Sequence, residues 1–163
     1  MGWLNNLWIK FSGWLFKAGT GIKVADVFFR ESLKVGEVDI NTVAKTLMQY
    51  TDSKNIRISD AKFTLTSKEI MDGLVTLMPQ RYWEWQTEVF DCDEFSFALQ
   101  GEMRLICGNL AFGIVWTQNH ALNYCFVVDA GEVKMYFVEP QLGKLYYLSP
   151  TQAQSLGIQL MII

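Results

Sequence analysis

Phe90-Asp91-Cys92-Asp93-Glu94-Phe95 decides how the rest of the chain is organised. Asp91 is a residue type that caps helix N-termini, and Glu94, three residues later, completes a reciprocal capping box. Phe90 and Phe95 stand at the two positions of a hydrophobic staple. The following residues repeat apolar side chains at helical spacing, which predicts a core stripe of Phe95, Ala98, Leu99, Met103 and Ile106.

The predicted helix begins at Cys92 and ends near Gly108. Unpaired backbone N–H groups and the helix dipole favour an anion at the first helical position, so the Cys92 thiol is predicted to ionise more easily than a free thiol. The thiolate is the nucleophilic form. A second interpretation fits the sequence equally well: Cys92, like Cys107 and Cys125, is a small buried residue.

Composition limits the classes of protein to which the chain can belong. With 163 residues, half of them hydrophobic, it can bury the core of one domain. A net charge of −3 without a basic run excludes an electrostatic footprint for nucleic acid. Three cysteines without a C-x-x-C pair favour a reducing compartment. No membrane span or signal peptide is evident, so we expect a cytoplasmic protein.

The N-terminal residues 1–30 are predicted to form an amphipathic helix and an appendage to a domain over 31–163. Its polar residues include Asn5, Asn6, Lys10 and Ser12. Two roles for such a segment stay open. It would dock on its own domain or on a partner, or residues 3–16 would mediate self-association or contact with a membrane surface. The apolar side of the helix would carry Trp3, Leu4, Leu7, Trp8, Phe11, Trp14 and Leu15.

The stretch from residue 23 to residue 80 is predicted to be mostly helical. A helix around Val24 to Leu33 would end at Gly36, and a second would begin near Asp39 or Asn41. Thr66 and Glu69 indicate a capping box for a third helix, which Pro79 closes. We expect this part of the chain to contribute to the core and assign no catalytic or binding residue to it.

The loop before the cysteine is rich in aromatic residues. Tyr82, Trp83 and Trp85 precede Gln86, and Gln86 lies six residues ahead of Cys92. The aromatic side chains can line a groove or belong to the core. The Gln86 amide can donate beside the thiol or stand in an exposed loop.

Beyond Gly108 the sequence changes to extended runs joined by tight turns. Four strands, from residues 110, 120, 133 and 144, would form an antiparallel meander, followed by a one-turn helix at Pro150 and a last strand at residues 158–163. Helices first and strands second predict an α+β fold, with the cysteine helix packed on one face of a C-terminal antiparallel sheet.

His120 is the only histidine in the chain. If Val128 pairs with Val133 across the turn, Glu139 becomes a diagonal neighbour of His120 on the same sheet face. A one-residue slip would move Glu139 to the opposite face, so the pair tests the register. A histidine and a carboxylate at an apolar face are costly to bury unless they pair.

Three short blocks carry a resemblance to a known family: Asp91-Cys92-Asp93-Glu94-Phe95, His120-Ala121-Leu122-Asn123 and Val138-Glu139-Pro140-Gln141. In this order they resemble the transglutaminase-like and papain-like cysteine peptidases. The nearest likeness is the C-terminal peptidase domain of the Marasmius mushroom agglutinin and its bacterial and phage relatives. The resemblance covers roughly residues 55–163 and implies a papain-like, transglutaminase-like fold.

The resemblance also implies a catalytic triad. Cys92 would be the nucleophile and His120 the base, and Glu139 would orient the imidazole. Gln86 would help to hold the oxyanion. The implied activity is a cysteine-dependent hydrolase, a peptidase or amidase that acts by acyl transfer on a peptide or amide substrate. The alternative function is a non-catalytic binding or assembly module on a peptidase-like fold.

The sequence itself requires no cofactor, and calcium enters only through the family resemblance. Asp91, Asp93 and Glu94 offer oxygen ligands of the kind calcium prefers. The capping box already uses two of these three side chains. The sequence therefore assigns no calcium ligands.

Overall fold

The computed structural model of the chain describes residues 30–163. The predicted amphipathic helix of residues 3–16 and nearly all of the predicted helix at residues 24–33 lie outside the described residues. The described elements, in chain order, are β1 Gly36–Asp39, α1 Ile40–Tyr50, β2 Ile56–Arg57, β3 Lys62–Ser67, α2 Lys68–Leu77, a 3₁₀ helix Pro79–Tyr82, α3 Cys92–Ile106, β4 Phe112–Trp116, β5 Ala121–Asp129, β6 Glu132–Glu139, β7 Lys144–Tyr146, α4 Pro150–Gln154 and β8 Leu160–Ile162.

The sheet is built around β5. Strands β4, β5, β6 and β7 pair antiparallel in chain order, as the sequence predicts. The predicted register is also confirmed, because Val128 pairs with Val133. Two parallel pairings, β3 with β5 and β2 with β8, were not predicted and convert the meander into a mixed sheet. Pairings between strands so distant in sequence leave no signal in local turn patterns.

Helices cover both faces of the sheet rather than one. Helices α2 and α3 pack on the face that carries Cys125 and Val127. Helix α1 and the short α4 pack on the face that carries Tyr124 and Phe126. Strand β5 is therefore buried over most of its length, as expected for a strand covered on both sides. The cysteine helix α3 lies on the face opposite the one predicted to be covered.

Two local predictions in the first half of the described chain are wrong, and a third is confirmed. Gly36 begins the strand β1 instead of ending a helix, and it pairs with Leu65. The N-cap of α2 is Ser67, not Thr66, because the Thr66 hydroxyl donates to the Leu33 carbonyl at 2.9 Å. Helix α2 ends at Leu77, two residues before Pro79, so the predicted end of this helix is confirmed, and Pro79 then opens the 3₁₀ helix.

The described chain thus mixes helices and strands around a core that is largely sheet. The single-domain assignment of residues 31–163 stays a prediction. Among residues 30–163, no helix has both the length and the apolar character needed to cross a bilayer.

Candidate functional site

The start of α3 is built as the sequence predicts. Asp91 is the N-cap, and the Glu94 carboxylate accepts a hydrogen bond from the Asp91 backbone N–H at 3.0 Å. The rings of Phe90 and Phe95 pack edge to face, with centroids 4.8 Å apart, which confirms the staple. Phe95 is buried in the core, so the staple fixes the direction from which the chain enters the helix.

The aromatic loop, defined here as residues 79–91, leads into this helix. Its outer side chains are unusually exposed for large apolar groups: Tyr82 72%, Trp83 45%, Trp85 53% and Val89 67%. The Trp83 ring packs on Phe90 with a centroid distance of 5.4 Å. A column of three rings, Trp83, Phe90 and Phe95, therefore runs from the core to the surface and holds the loop in place.

The other end of the aromatic loop is anchored by Gln80. Its side chain is fully buried, and its amide donates to the Pro140 carbonyl at 3.3 Å. Pro140 directly follows Glu139 in the chain. The loop is consequently tied to the sheet beside one of the predicted site residues.

His120 and Glu139 form the pair that the register argument predicts. The His120 Nε2 atom lies 2.9 Å from a Glu139 carboxylate oxygen. The other Glu139 oxygen accepts from the Gln141 backbone N–H at 3.2 Å. The hydrogen bond to Glu139 raises the pKa of His120, and partial burial opposes this change. The pair is half-buried at the sheet edge, with the side chains 38% and 19% exposed.

A tight turn holds the His120 backbone. The Thr117 hydroxyl donates to the His120 carbonyl at 2.9 Å and accepts from the His120 N–H at 3.1 Å. The backbone N–H of Thr117 also donates to the same carbonyl. The turn thereby fixes the histidine at the point where β5 begins.

Cys92 is half-buried, and the prediction of an easily ionised thiol is wrong. Burial raises the pKa of Cys92, and the nearby carboxylates of Asp91 and Asp93 raise it further. Hydrogen bonding from the backbone N–H of Ala121 and from its own N–H favours the thiolate, but these effects are outweighed. Burial and two adjacent acids thus outweigh the lowering of the thiol pKa that the start of a helix provides. The thiol is mostly protonated near neutral pH.

Ala121, whose backbone N–H bonds to the Cys92 thiol, directly follows His120 in the chain. The structure therefore places the thiol, His120 and Glu139 along one edge of the sheet. They meet there although helix α3 covers one face of the sheet and the Tyr124 side chain lies on the other face. Asp91 at the helix cap joins the aromatic loop to the same edge.

Asp91 and Asp93 interact through a hydrogen bond between their carboxyl groups. This bond lowers the pKa of Asp91 and raises that of Asp93. With Cys92 they place one donor atom each within 4.8 Å of one another. Calcium takes six to eight oxygen ligands, whereas this group offers two carboxyls and a soft sulfur. The group does not fit calcium, which remains a prediction without assigned ligands.

Gln86 lies in an exposed part of the aromatic loop. Its backbone N–H and carbonyl both bond to Phe90, closing a tight turn in which Glu88 has a positive φ of 59°. The structure records these backbone bonds and no side-chain bond from Gln86 to Cys92 among the described residues. The predicted grouping of Gln86 with the thiol is not observed.

Two buried amides were missed by the sequence reasoning. Gln80 anchors the aromatic loop, and Asn123 donates to the carbonyls of Ser96 at 2.9 Å and Gly113 at 3.1 Å. The Ser96 hydroxyl in turn donates to the Cys92 carbonyl at 2.8 Å. Asn123 therefore ties the first turns of α3 to β4. A polar residue inside the apolar pattern of β5 was the available signal for Asn123.

We expect the His120–Glu139 pair to make stability depend on pH. Because the pKa of His120 is raised in the folded state, its contribution is complete below the unfolded value of about 6.5 and is lost as pH rises through the folded value. His120→Gln should therefore reduce the free energy of unfolding more at pH 5.5 than at pH 8.5. Urea unfolding at both pH values tests this, with exposed Glu132→Gln as the control. Parallel changes at the two pH values would contradict the pairing.

Comparisons with known proteins find similarity at the level of the fold. No protein-family model matches the chain, and no curated protein matches it. The chain is similar in fold to Polyporus squamosus lectin. The structure of that lectin bound to the human-type influenza-binding epitope Neu5Aca2-6Galb1-4GlcNAc has a TM-score of 0.63 and 18% identity, over 78% of this chain and 49% of the lectin. The structure titled PSL1a-E64 complex has a TM-score of 0.62 and 17% identity, over 78% and 51%.

These comparisons correct the family predicted from the sequence. The matching structures are those of a lectin, and no peptidase family model matches the chain. The assignment to the transglutaminase-like and papain-like peptidases is therefore overturned. The cysteine-hydrolase activity and the peptide or amide substrate are overturned with it. The chain spans about half the length of the lectin structures, and at this identity the likeness shows the fold alone.

Proposed function

We propose that the chain is a non-catalytic binding module whose ligand surface is the aromatic loop together with the His120–Glu139 pair. The observation that carries the proposal is the exposure of Tyr82, Trp83 and Trp85 on a loop that is anchored at both ends. Gln80 holds one end to the Pro140 carbonyl, next to Glu139, and Phe90 holds the other end on Phe95 of α3. Contiguous exposed aromatic groups rimmed by polar residues are typical of binding surfaces.

The electrostatics of the thiol support binding over catalysis. A nucleophilic cysteine needs a depressed pKa or an adjacent base that takes its proton. Burial and the carboxylates of Asp91 and Asp93 raise the pKa of Cys92, which disfavours the thiolate. We propose Cys92, His120, Glu139 and Gln86 as ligand contacts at one end of the surface. The papain-like details of the fold and the cytoplasmic location stay predictions.

We propose a neutral glycan as the ligand class. The C–H faces of a sugar ring pack on aromatic rings, and its hydroxyl groups bond to side chains that donate and accept, such as His120 and Gln86. The loop also carries the exposed carboxylates of Glu84 and Glu88, with Asp93 nearby. These charges repel an anionic ligand, so an acidic sugar is disfavoured. The solved lectin complex with a sugar epitope supports the carbohydrate class.

Titration with the neutral disaccharide Galb1-4GlcNAc, monitored by tryptophan fluorescence, tests the proposal. We expect Trp85→Ala to weaken binding by about tenfold or more, since one lost aromatic contact costs on the order of 1–3 kcal/mol. Met48→Ala is the control, because Met48 is also a large exposed apolar residue but lies on α1. The sialylated trisaccharide should bind more weakly than the disaccharide.

Two outcomes would contradict the proposed function. The first is the absence of saturable binding by either sugar. The second is thiol chemistry: a rapid covalent adduct of E64 with Cys92, accompanied by hydrolysis of an amide substrate, would restore a catalytic role for the site.

A further inference from the structure

The outer side of α3 carries an apolar stripe that no described element covers. Phe97 and Leu105 are each 53% exposed, and Gly101 stands midway between them. Residues spaced by four lie above one another on a helix, so these positions form one continuous strip. The Phe97 ring also packs on Trp116 with centroids 5.5 Å apart, which extends the strip onto β4.

One side-chain oxygen of a half-buried acid next to this stripe has no hydrogen-bond partner among the described residues. One carboxylate oxygen of Glu102 is inaccessible to solvent and makes no hydrogen bond. Burial raises the pKa of Glu102 to about 7. A buried acceptor without a donor is costly, and a donor supplied from outside the described fold would remove that cost.

The described chain begins close to the end of this helix. The Arg30 guanidinium donates to the Asn109 side-chain oxygen at 2.7 Å, and Asn109 follows α3 by three residues. Residues 1–29 therefore lead to the C-terminal end of the stripe. Residues 17–29 can reach about 40 Å when extended and about 32 Å with the predicted helix from Val24, in either case more than the roughly 22 Å length of the 15-residue α3.

We propose that residues 3–16 of the same chain bind along this stripe of α3. The segment repeats large apolar side chains at helical spacing, and as a helix its 14 residues would be about 21 Å long. It also carries indole N–H groups on Trp3, Trp8 and Trp14, which only donate hydrogen bonds. One of these indoles supplies the missing donor to Glu102. The occupant is thus fixed by length, by attachment point and by chemistry.

A double-mutant cycle in the chain of residues 1–163 tests the proposal. Leu7→Asp and Leu105→Asp should each lower the Tm by roughly 4 °C, and the double variant should fall little further than the worse single variant. Asn6→Asp, on the predicted polar side of the segment, and Met48→Asp, on α1, are the matched controls and should add independently. Additive effects of Leu7→Asp and Leu105→Asp would overturn the proposal.

Two further measurements separate this occupant from the others. The coupling between Leu7→Asp and Leu105→Asp should be unchanged over a tenfold range of protein concentration. Sedimentation should show a monomer. Coupling that weakens on dilution would assign the stripe to a second copy and overturn binding within one chain. Binding of the wild-type chain to neutral phosphatidylcholine vesicles, lost in Leu7→Asp, would overturn it in favour of a membrane surface.

Discussion

Gly113→Ala is expected to destabilise the protein by about 3 kcal/mol or more, the upper range for overpacking a core. Gly113 lies in β4, with β5 on one side and β8 on the other. An added Cβ would collide with the backbone carbonyl of Ile162 and would lie 2.7 Å from the Tyr124 ring. Neither group can move away, because the first belongs to a strand and the second is fully buried.

Urea unfolding of Gly113→Ala measures this effect, and Gly36→Ala is the matched control. Gly36 also lies in a strand, β1, and a Cβ there would meet only the Leu65 side chain, at an ordinary 3.9 Å. Alanine restricts the unfolded chain more than glycine, so this variant should gain up to about 1 kcal/mol. Equal effects of the two substitutions would contradict the packing of β4 against β5 and β8.

Asn123→Leu is expected to cost about 1–3 kcal/mol. The substitution keeps the number and branching of the side-chain atoms but removes both hydrogen bonds from the buried amide to Ser96 and Gly113. Each hydrogen bond lost in the interior costs on the order of 0.5–1.5 kcal/mol. Because Ser96 also holds the Cys92 carbonyl, the first turn of α3 should loosen as well.

Thermal and urea unfolding test the Asn123 prediction against Asn55→Leu. Asn55 is exposed and contributes only backbone hydrogen bonds, so its variant should change stability by less than about 0.5 kcal/mol. Similar losses from the two variants would mean that the Asn123 amide does not hold α3 on the sheet.

The sequence predicts those parts of the fold that depend on neighbours in the chain. The capping box of Asp91 and Glu94 and the pairing of Val128 with Val133 arise within a few residues, so local rules are sufficient. The His120–Glu139 contact follows from that register. The parallel pairing of Thr66 with Val127 depends on how distant segments pack, and no local pattern encodes it.

The candidate site shows the same limit. The position of Cys92 at a helix start was predictable, but the direction of its pKa change depends on how deeply the folded chain buries it. The exposure of Trp83 and Trp85 was likewise one of two open alternatives, because an aromatic residue in a loop can belong to the core or to the surface. Burial is a property of the whole fold.

The family prediction was wrong for a related physical reason. Asp91 and Glu94, two of the residues in the first matching block, form the capping box. In the third block, the Glu139 carboxylate bonds to the Gln141 backbone and the Pro140 carbonyl holds Gln80. Residues that local structure requires can reproduce a short catalytic motif without its chemistry.

The pH dependence of Cys92 alkylation by iodoacetamide tests the central claim most directly. A non-catalytic site with a raised thiol pKa should react at pH 7 no faster than a free thiol, and its rate should rise only above about pH 8.5. Peptide mapping assigns the label to Cys92, and His120→Ala should leave the profile unchanged. A rapid reaction that persists below pH 7 in the wild type and disappears in His120→Ala would contradict the claim, because it would show a thiolate held by the imidazolium.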